Sequence, residues 1–188
     1  MGVEMEIFTK QEKNSLDVMK AINIVLVIFV VILAFILISM SFLWTPMTVA
    51  GPSMEQTFHN GDHIILLTSL YKISYGDIIV FEKIEEEKNV IKRVIALEGE
   101  YIRFDQVEQK WYRNDVALDE PYVTCSYTIT YFSGTSTILK EKICSKQGYL
   151  VEEGKIFVLG DNRINSNDSH VYGAIDQSQI KGKFLFRY

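Results

Sequence analysis

The sequence predicts a mostly β domain with an antiparallel, barrel-like core, preceded by one N-terminal transmembrane helix. Two observations predict this fold class. An uncharged apolar run fills residues 21–43, and from residue 48 onward short β-prone runs are bounded by Gly, Asn and Asp. Because helical periodicity is absent after the apolar run, we expect the strands to curl into one antiparallel core.

The apolar run at residues 21–43 has the length and composition of a membrane-spanning helix. At 1.5 Å per residue it extends over roughly 35 Å, which exceeds the thickness of a hydrocarbon core, about 30 Å. A cleavable signal peptide is the alternative, but its apolar region is usually only about 7–15 residues long. We therefore divide the chain into a polar N-terminal segment (1–20), a transmembrane helix (21–43) and a β-rich domain (44–188).

Charges on either side of the apolar run predict its orientation. Lys10, Lys13 and Lys20 precede the run, whereas no Lys or Arg follows it until Lys72. The positive flank of a transmembrane helix stays in the cytoplasm, so we expect a single-pass cell-membrane protein with residues 44–188 outside. The net charge of −5 argues against nucleic acid as a partner, because nucleic-acid-binding domains are usually basic.

Turn residues divide the outer domain into short strands. Turn signals such as Asn60-Gly61-Asp62 separate runs that are rich in Ile, Val, Tyr and Phe. The predicted strands are residues 63–67, 77–81, 90–97, 101–107, 110–113, 155–159 and 183–187, with a further hairpin inside residues 122–143. The three glutamates at positions 85–87 are expected to form a solvated loop tip.

Two cysteines, Cys125 and Cys144, lie in or directly after the predicted hairpin of residues 122–143. If the loop is Gly134-Thr135, a pair that suits a type II′ turn, Cys125 and Cys144 face each other across the strands. A domain outside the cytoplasm permits a disulfide between them, and two free thiols are the alternative. The three histidines are scattered and there is no C-x-x-C spacing, so we expect no metal site and no cofactor.

The candidate nucleophile is Ser53, which follows Gly51 in a turn shortly after the apolar run. A serine needs a base to remove its proton, and a neutral lysine or a histidine can be that base. Lys92 lies in the mostly apolar run 89–97, where burial would disfavour its charged form; a surface lysine is the alternative. His59, close to Ser53 in sequence, leaves a Ser-His-Asp triad open.

Five motifs follow one another along the chain. They are Gly51-Pro-Ser-Met-Glu-Gln-Thr57, Gly61-Asp62, Tyr75-Gly-Asp-Ile-Ile-Val-Phe81, Ile91-Lys-Arg-Val-Ile95 and Gly160-Asp-Asn-Arg-Ile-Asn-Ser-Asn-Asp-Ser169. In this order they resemble the motifs of the type I signal peptidases, and the short chain with one anchor resembles the Gram-positive forms. The resemblance implies a Ser-Lys dyad that removes signal peptides after small residues at positions −3 and −1. A non-catalytic relative that binds or assembles exported proteins is the alternative.

The resemblance also implies a role for each matched residue. Ser53 would be the nucleophile, Lys92 the general base and Ser166 the residue that orients the lysine amine. Arg93 would form an ion pair with Asp168 on the far face of the strand. The turn Gly160-Asp161-Asn162 would shape the site, Met54 and Ile91 would wall the pocket for the residue at −1, and the oxyanion hole would lie at Ser53 and Gly51.

The oxyanion hole needs two donors, and Ser53 N–H is expected to be the first. Some family members carry a serine two residues before the nucleophile, where this chain has Gly51. The second donor is therefore expected to be a backbone N–H or a water. The implied partners are the signal peptides of exported preproteins and the lipid bilayer, and the secretion translocon is a candidate partner.

Two positions depart from the family pattern. Gln56 stands where proline is common, so we expect a looser turn after Ser53, because proline fixes a backbone angle. His170 stands where arginine is common, so we expect a weaker ion pair there. Both departures bear on efficiency or substrate range and not on the type of reaction.

Overall fold

The computed structural model describes residues 2–127 and 131–188, except for the side chains of residues 2–14, 41 and 85. The chain divides into two compact units with the boundary between Leu43 and Trp44. The second unit is mostly antiparallel β-structure, which confirms the predicted fold class.

The first unit is one helix, α1 (Gly2–Leu43). It continues through the polar N-terminal segment because no Gly or Pro interrupts residues 3–43. Within it, Ser15–Met40 is long and apolar enough to cross a membrane, and none of that stretch is buried against protein. A helix that is apolar on all sides needs a nonpolar environment, which a bilayer provides.

In the second unit, the described residues form eleven strands and two short α-helices. The strands are β1 (Trp44–Thr48), β2 (His63–Leu67), β3 (Ile78–Lys83), β4 (Lys88–Ala96), β5 (Tyr101–Asp105), β6 (Lys110–Arg113), β7 (Val116–Ala117), β8 (Tyr149–Leu150), β9 (Lys155–Leu159), β10 (Ile175–Asp176) and β11 (Ile180–Arg187), and the helices are α2 (Thr137–Cys144) and α3 (Ser169–Tyr172). All strand pairs among the described residues are antiparallel.

The strands of the described residues form two sheets. One has the order β1-β2-β11-β3-β4-β9-β10, and the other has the order β7-β6-β5-β8. Strand β3 lies in the middle of the larger sheet and is apolar on both faces, since Ile78 and Val80 belong to one core cluster and Ile79 and Phe81 to another. The neighbouring strand, β4, carries Lys92. Because β4 pairs with the buried strand β3, the backbone of Lys92 is held rigidly.

The predicted hairpin within residues 122–143 is wrong. Residues 137–144 form α2, and the Ser136 hydroxyl caps it by accepting a hydrogen bond from Leu139 N at 3.3 Å. Leu139 and Ile143 are four residues apart and face the core. Cys144 therefore ends a helix, and it and Cys125 are both free thiols, so the predicted disulfide is absent. Residues 128–130 of the predicted first strand lie outside the described residues.

Candidate active site

Ser53 lies in the connection between β1 and β2, and backbone hydrogen bonds close that connection. Val49 N donates to Asp62 O at 2.8 Å, and Phe58 N donates to Met54 O at 2.8 Å. Met54 is completely buried beneath the turn. Its burial fixes the backbone of the adjacent serine, whose side chain faces a cleft.

Lys92 lies within hydrogen-bonding distance of the candidate nucleophile. Its Nζ is 2.6 Å from Ser53 Oγ and donates to Ile91 O at 3.0 Å. Only 2% of the lysine is exposed. Burial, opposed only in part by the charges of Asp168 and Asp161, lowers the pKa of Lys92 from 10.5 to about 8. An uncharged amine is therefore accessible near neutral pH beside the hydroxyl.

His59 is not positioned to act as the base of Ser53 in place of Lys92. Its side chain is 64% exposed, and its Nε2 lies 3.9 Å from Glu55 Oε1. The geometry thus favours a serine–lysine arrangement over a triad at this turn.

The turn at residues 160–162 packs against the backbone of the nucleophile. Asn162 N donates to Ser53 O at 3.1 Å, and Asn162 Nδ2 donates to Pro52 O at 3.0 Å. A Cβ atom on Gly160 would lie 2.4 Å from Ser53 O and 2.2 Å from Ser166 Oγ. Only glycine permits so close an approach.

The predicted ion pair between Arg93 and Asp168 is wrong. Arg93 Nε and Nη2 donate to the two carboxylate oxygens of Asp161, at 2.8 and 2.6 Å. The register explains this choice, because Arg93 pairs with Leu159 across β4 and β9, and Asp161 follows two residues later. Thr57 Oγ1 also donates to Asp161 at 2.5 Å. Asp161 thereby links β4 to the serine turn.

Asp168 pairs with His170 instead. Asp168 Oδ1 lies 2.6 Å from His170 Nδ1, and Oδ2 accepts from Gly160 N at 2.9 Å. Both residues are buried. Burial raises the pKa of the Asp168 carboxyl, but its hydrogen bonds and the nearby charges of His170 and Lys92 outweigh that effect, and the net pKa is lowered.

Two predicted contacts are not formed in this structure. Ser166 Oγ is buried and has no hydrogen-bond partner among the described residues, so it does not bond to the Lys92 amine. The Gly51 N–H donates to Asn60 Oδ1 at 3.0 Å and is therefore engaged and not free for an oxyanion. Gly51 has a φ of +87°, which glycine adopts without strain.

A cleft of about 610 Å³ opens beside Ser53 and Lys92. Part of its lining is apolar and comes from Val49, Ile64, Val80 and Ile91. The polar part comes from Lys83, Glu86, Lys88, Asn89 and Asn167. Of the two predicted pocket residues, Ile91 lines the cleft, whereas Met54 is buried in the core cluster beside it.

One edge of β4 is open along this cleft. Strand β4 pairs with β3 from Lys88 onward, but its pairing with β9 begins only at Arg93. Val94 bonds through both its N–H and its C=O to the β3 side. Because these directions alternate along a strand, the backbone groups of Asn89 and Ile91 point to the open side.

The sequence analysis missed a buried ion pair behind the site. Arg163 is 1% exposed; its Nε donates to Gly160 O at 3.1 Å and its Nη1 donates to Glu120 Oε2 at 2.8 Å and to Tyr127 OH at 2.6 Å. Tyr122 OH also donates to Glu120, at 2.9 Å. Arg163 belongs to a recognised motif, but Glu120 lies 43 residues earlier in a segment without periodicity, so no sequence signal joined them.

The structure shows no cluster of three or more His, Cys, Asp or Glu side chains suited to a metal ion within residues 2–127 and 131–188.

Comparison with known proteins identifies the family to which the chain belongs. A family model described as "Signal peptidase, peptidase S26" matches residues 21–188. The chain belongs to this signal peptidase family. It is 34% identical to signal peptidase IB of Staphylococcus aureus over 158 residues, and this aligned region covers 78% of each chain. It is 28% identical over 186 residues to signal peptidase I of Streptococcus pneumoniae, which covers 86% of this chain and 90% of the other.

A crystal structure of a signal peptidase I from Enterococcus faecalis is also similar. It is 34% identical, covers 63% of this chain and 100% of that chain, and superposes with a TM-score of 0.49. The family resemblance that the five motifs indicated is confirmed by the family match.

Proposed function

We propose that this chain is a membrane-anchored serine endopeptidase that removes N-terminal signal peptides from exported preproteins. One observation carries the assignment of the dyad: the almost fully buried amine of Lys92 lies 2.6 Å from Ser53 Oγ. Membership of the peptidase family supports the reaction class, and relatives named signal peptidase I and IB support the substrate class.

The proposed reaction uses one lysine as base and then as acid. Neutral Lys92 takes the Ser53 proton while Oγ attacks the carbonyl carbon of the residue at −1. The protonated amine then gives its proton to the leaving nitrogen, which becomes the N-terminus of the mature protein. A water activated by the same amine hydrolyses the ester and regenerates Ser53.

Two roles near the dyad remain part of the proposal. The Ser53 N–H serves as one oxyanion donor, and since Gly51 N–H is engaged by Asn60, the second donor is another backbone N–H or a water. Ser166 Oγ does not contact the Lys92 amine in this structure, and we propose that it orients that amine once substrate is bound, because its buried hydroxyl lacks a hydrogen-bond partner among the described residues.

The substrate is proposed to bind as an added strand. Its extended backbone would pair with the open edge of β4 at Asn89 and Ile91, which points main-chain donors and acceptors into the cleft. Alternate side chains of the substrate would then enter the apolar part of the cleft. Such an arrangement would select small substrate residues at positions −1 and −3 and accept different residues at the other positions.

The anchor is proposed to hold the site at the outer membrane surface. Residues 15–40 of α1 would span the bilayer with Lys10, Lys13 and Lys20 on the cytoplasmic side. The catalytic domain would then meet signal peptides as they leave the secretion translocon, which is proposed as a partner in delivering the substrate.

A preprotein cleavage assay tests this proposal with the full chain in detergent or in vesicles. We expect cleavage by the wild type and none by Ser53→Ala or Lys92→Ala, with exposed Ser133→Ala and Lys72→Ala as matched controls. Equal cleavage by all of these variants would refute the dyad. A wild type that binds preproteins without cutting them would instead support the non-catalytic alternative.

A further inference from the structure

His170 is enclosed on every side. It lies in α3 and is 2% exposed. Its Nδ1 is 2.6 Å from Asp168 Oδ1, and its Nε2 is 3.1 Å from the backbone oxygen of Tyr131. The ring stacks on the Tyr131 ring at a centroid distance of 4.5 Å and an interplanar angle of 12°. These contacts fix the orientation of the imidazole, so both ring nitrogens have defined partners.

Both partners of the ring are hydrogen-bond acceptors. A backbone carbonyl only accepts, and an ionised carboxylate only accepts, whereas a neutral imidazole has a single N–H to donate. A neutral ring would therefore leave one nitrogen lone pair facing an oxygen lone pair in a buried site, which is unfavourable. A ring with two N–H groups satisfies both partners.

The extra proton belongs on the histidine and not on the carboxyl. Asp168 accepts three hydrogen bonds, from Gly160 N at 2.9 Å, from His170 N at 3.2 Å and from His170 Nδ1 at 2.6 Å. Hydrogen bonds donated to a carboxylate stabilise its ionised form. A pair made of an imidazolium and a carboxylate would satisfy all of these contacts and carry no net charge.

The charge of Asp168 matters because it acts on Lys92. Of the charges near the amine, Asp168 has the largest effect, and it favours the protonated lysine; Asp161 acts in the same direction. Asp161 is already paired with Arg93. The effect of Asp168 on the dyad therefore depends on whether its own partner carries a positive charge.

Among the described residues, further charged and titratable groups lie near Lys92 and around the His170 ring. Near Lys92, the two cleft lysines Lys83 and Lys88 disfavour the protonated amine. Next to the ring, the Tyr131 and Phe132 side chains pack against His170, and Arg163 and Tyr127 lie beyond Tyr131. Helix α2 packs against α3, and its charged side chains, Lys140, Glu141 and Lys142, are exposed.

We propose that His170 is a positioning residue of the dyad: as a doubly protonated ring it neutralises Asp168, so that Lys92 can give up its proton beside Ser53. This inference rests on the proposed role of Lys92 as the base. It assigns to the histidine a contribution that a neutral polar side chain at position 170 could not make.

The pH dependence of kcat/KM separates this role from a purely structural one. In His170→Asn the charge of Asp168 is uncompensated, so the acidic limb of the profile should move to higher pH by about half a unit to one unit. At a pH below the limb that shift lowers kcat/KM by about three- to tenfold. His170→Arg keeps a cation and should keep the wild-type limb, and adding Asp168→Asn to His170→Asn should move the limb back to or below its wild-type position. A limb that stays in place in His170→Asn would overturn the proposal.

Nitrogen NMR of the full chain in detergent tests the protonation state without reference to activity. With 15N-labelled histidine, His170 should show two protonated ring nitrogens at the pH of the cleavage assay. The exposed His59 and His63 provide reference signals, and loss of one signal set in His170→Arg identifies His170. A single protonated nitrogen on His170 would overturn the proposal even if the variants proved too unstable for kinetics. Full activity in Lys92→Ala would instead refute the base assignment and leave the histidine result standing.

Discussion

Lys92 and Arg93 are consecutive residues of β4, yet their surroundings are opposite in kind. Arg93 donates to both carboxylate oxygens of Asp161, and its guanidinium lies 4.0 Å from the centroid of the Tyr122 ring. Burial lowers the pKa of Arg93, but the contacts with Asp161 outweigh it and the net pKa is raised. The hydrogen bonds of Lys92 go to two neutral oxygens, those of Ser53 and Ile91, and burial brings its pKa down to about 8.

The difference shows how one strand carries both a structural charge and a candidate base. A buried cation with a hydrogen-bonded carboxylate stays charged and joins two parts of the fold. A buried cation without a hydrogen-bonded carboxylate has less to offset the cost of desolvation, so it becomes neutral more readily. Removing the charge pair of Arg93 and removing the Lys92 amine are therefore expected to change the free energy of unfolding in opposite directions.

The largest expected effect is on activity. Replacing Lys92 by Met keeps a side chain of similar length in the apolar surroundings but removes the amine. We expect kcat/KM for preprotein cleavage to fall by about 10³-fold or more, because a serine without its base is a weak nucleophile. The same loss is expected for Ser53→Ala, and a double variant should be no worse than either single one. Losses that multiply in the double variant would contradict a dyad that acts as one unit.

The second effect is on stability at Arg93. In Asp161→Asn the guanidinium loses its charged partner, and we expect the free energy of unfolding to fall by about 3 kcal/mol. Urea denaturation of the full chain in detergent, followed by tryptophan fluorescence, measures this change. Exposed Asp115→Asn is the matched control and should be nearly neutral. A change below about 0.5 kcal/mol at Asp161 would show that the ion pair does not hold the turn.

The third effect has the opposite sign. The pKa of Lys92 is lower in the folded chain, about 8 against 10.5, so the lysine costs stability at a pH below 8 and this cost fades as the pH rises to 10.5. We therefore expect Lys92→Met to raise the free energy of unfolding at pH 7 by about 2–3 kcal/mol. The gain should shrink as the pH approaches 10. A variant that is less stable than the wild type at pH 7 would argue that the amine is not desolvated.

The smallest effect concerns the groups that support Arg93. Tyr122→Phe removes the hydrogen bond from the hydroxyl to Glu120 but keeps the ring beneath Arg93. We expect a loss of about 1 kcal/mol in stability and little change in kcat/KM. Tyr122→Leu also removes the ring and should cost more, in the range of about 0.5–1 kcal/mol beyond the phenylalanine variant. Equal losses in the two variants would mean that the ring contact contributes nothing.

The parts of the fold that local signals encode could be predicted from the sequence. The strands at residues 63–67, 110–113 and 155–159 have the predicted bounds, because turn residues border each of them. The apolar helix followed from its length and lack of charge. Helix α2 was missed because its eight residues contain only one apolar pair at helical spacing, and the Gly134-Thr135 pair just before it suits a hairpin turn.

Contacts that depend on register and long-range packing could not be predicted. The family resemblance paired Arg93 with Asp168, but the pairing of Arg93 with Leu159 across the strands brings Asp161 to it instead. The Glu120–Arg163 pair joins segments 43 residues apart and has no local signature. The distance between Ser53 and Lys92 belongs to the same class, since the motifs named both residues but only the folded chain brings them to 2.6 Å.

The pH dependence of kcat/KM for preprotein cleavage by the full chain tests the central claim most directly, since its acidic limb reports the base in the free enzyme. A buried Lys92 acting as the base predicts a limb centred near pH 8, with activity falling about tenfold for each unit below it. A limb centred near pH 6.5, as a histidine base would give, or activity that does not change between about pH 6 and pH 9, would contradict the account.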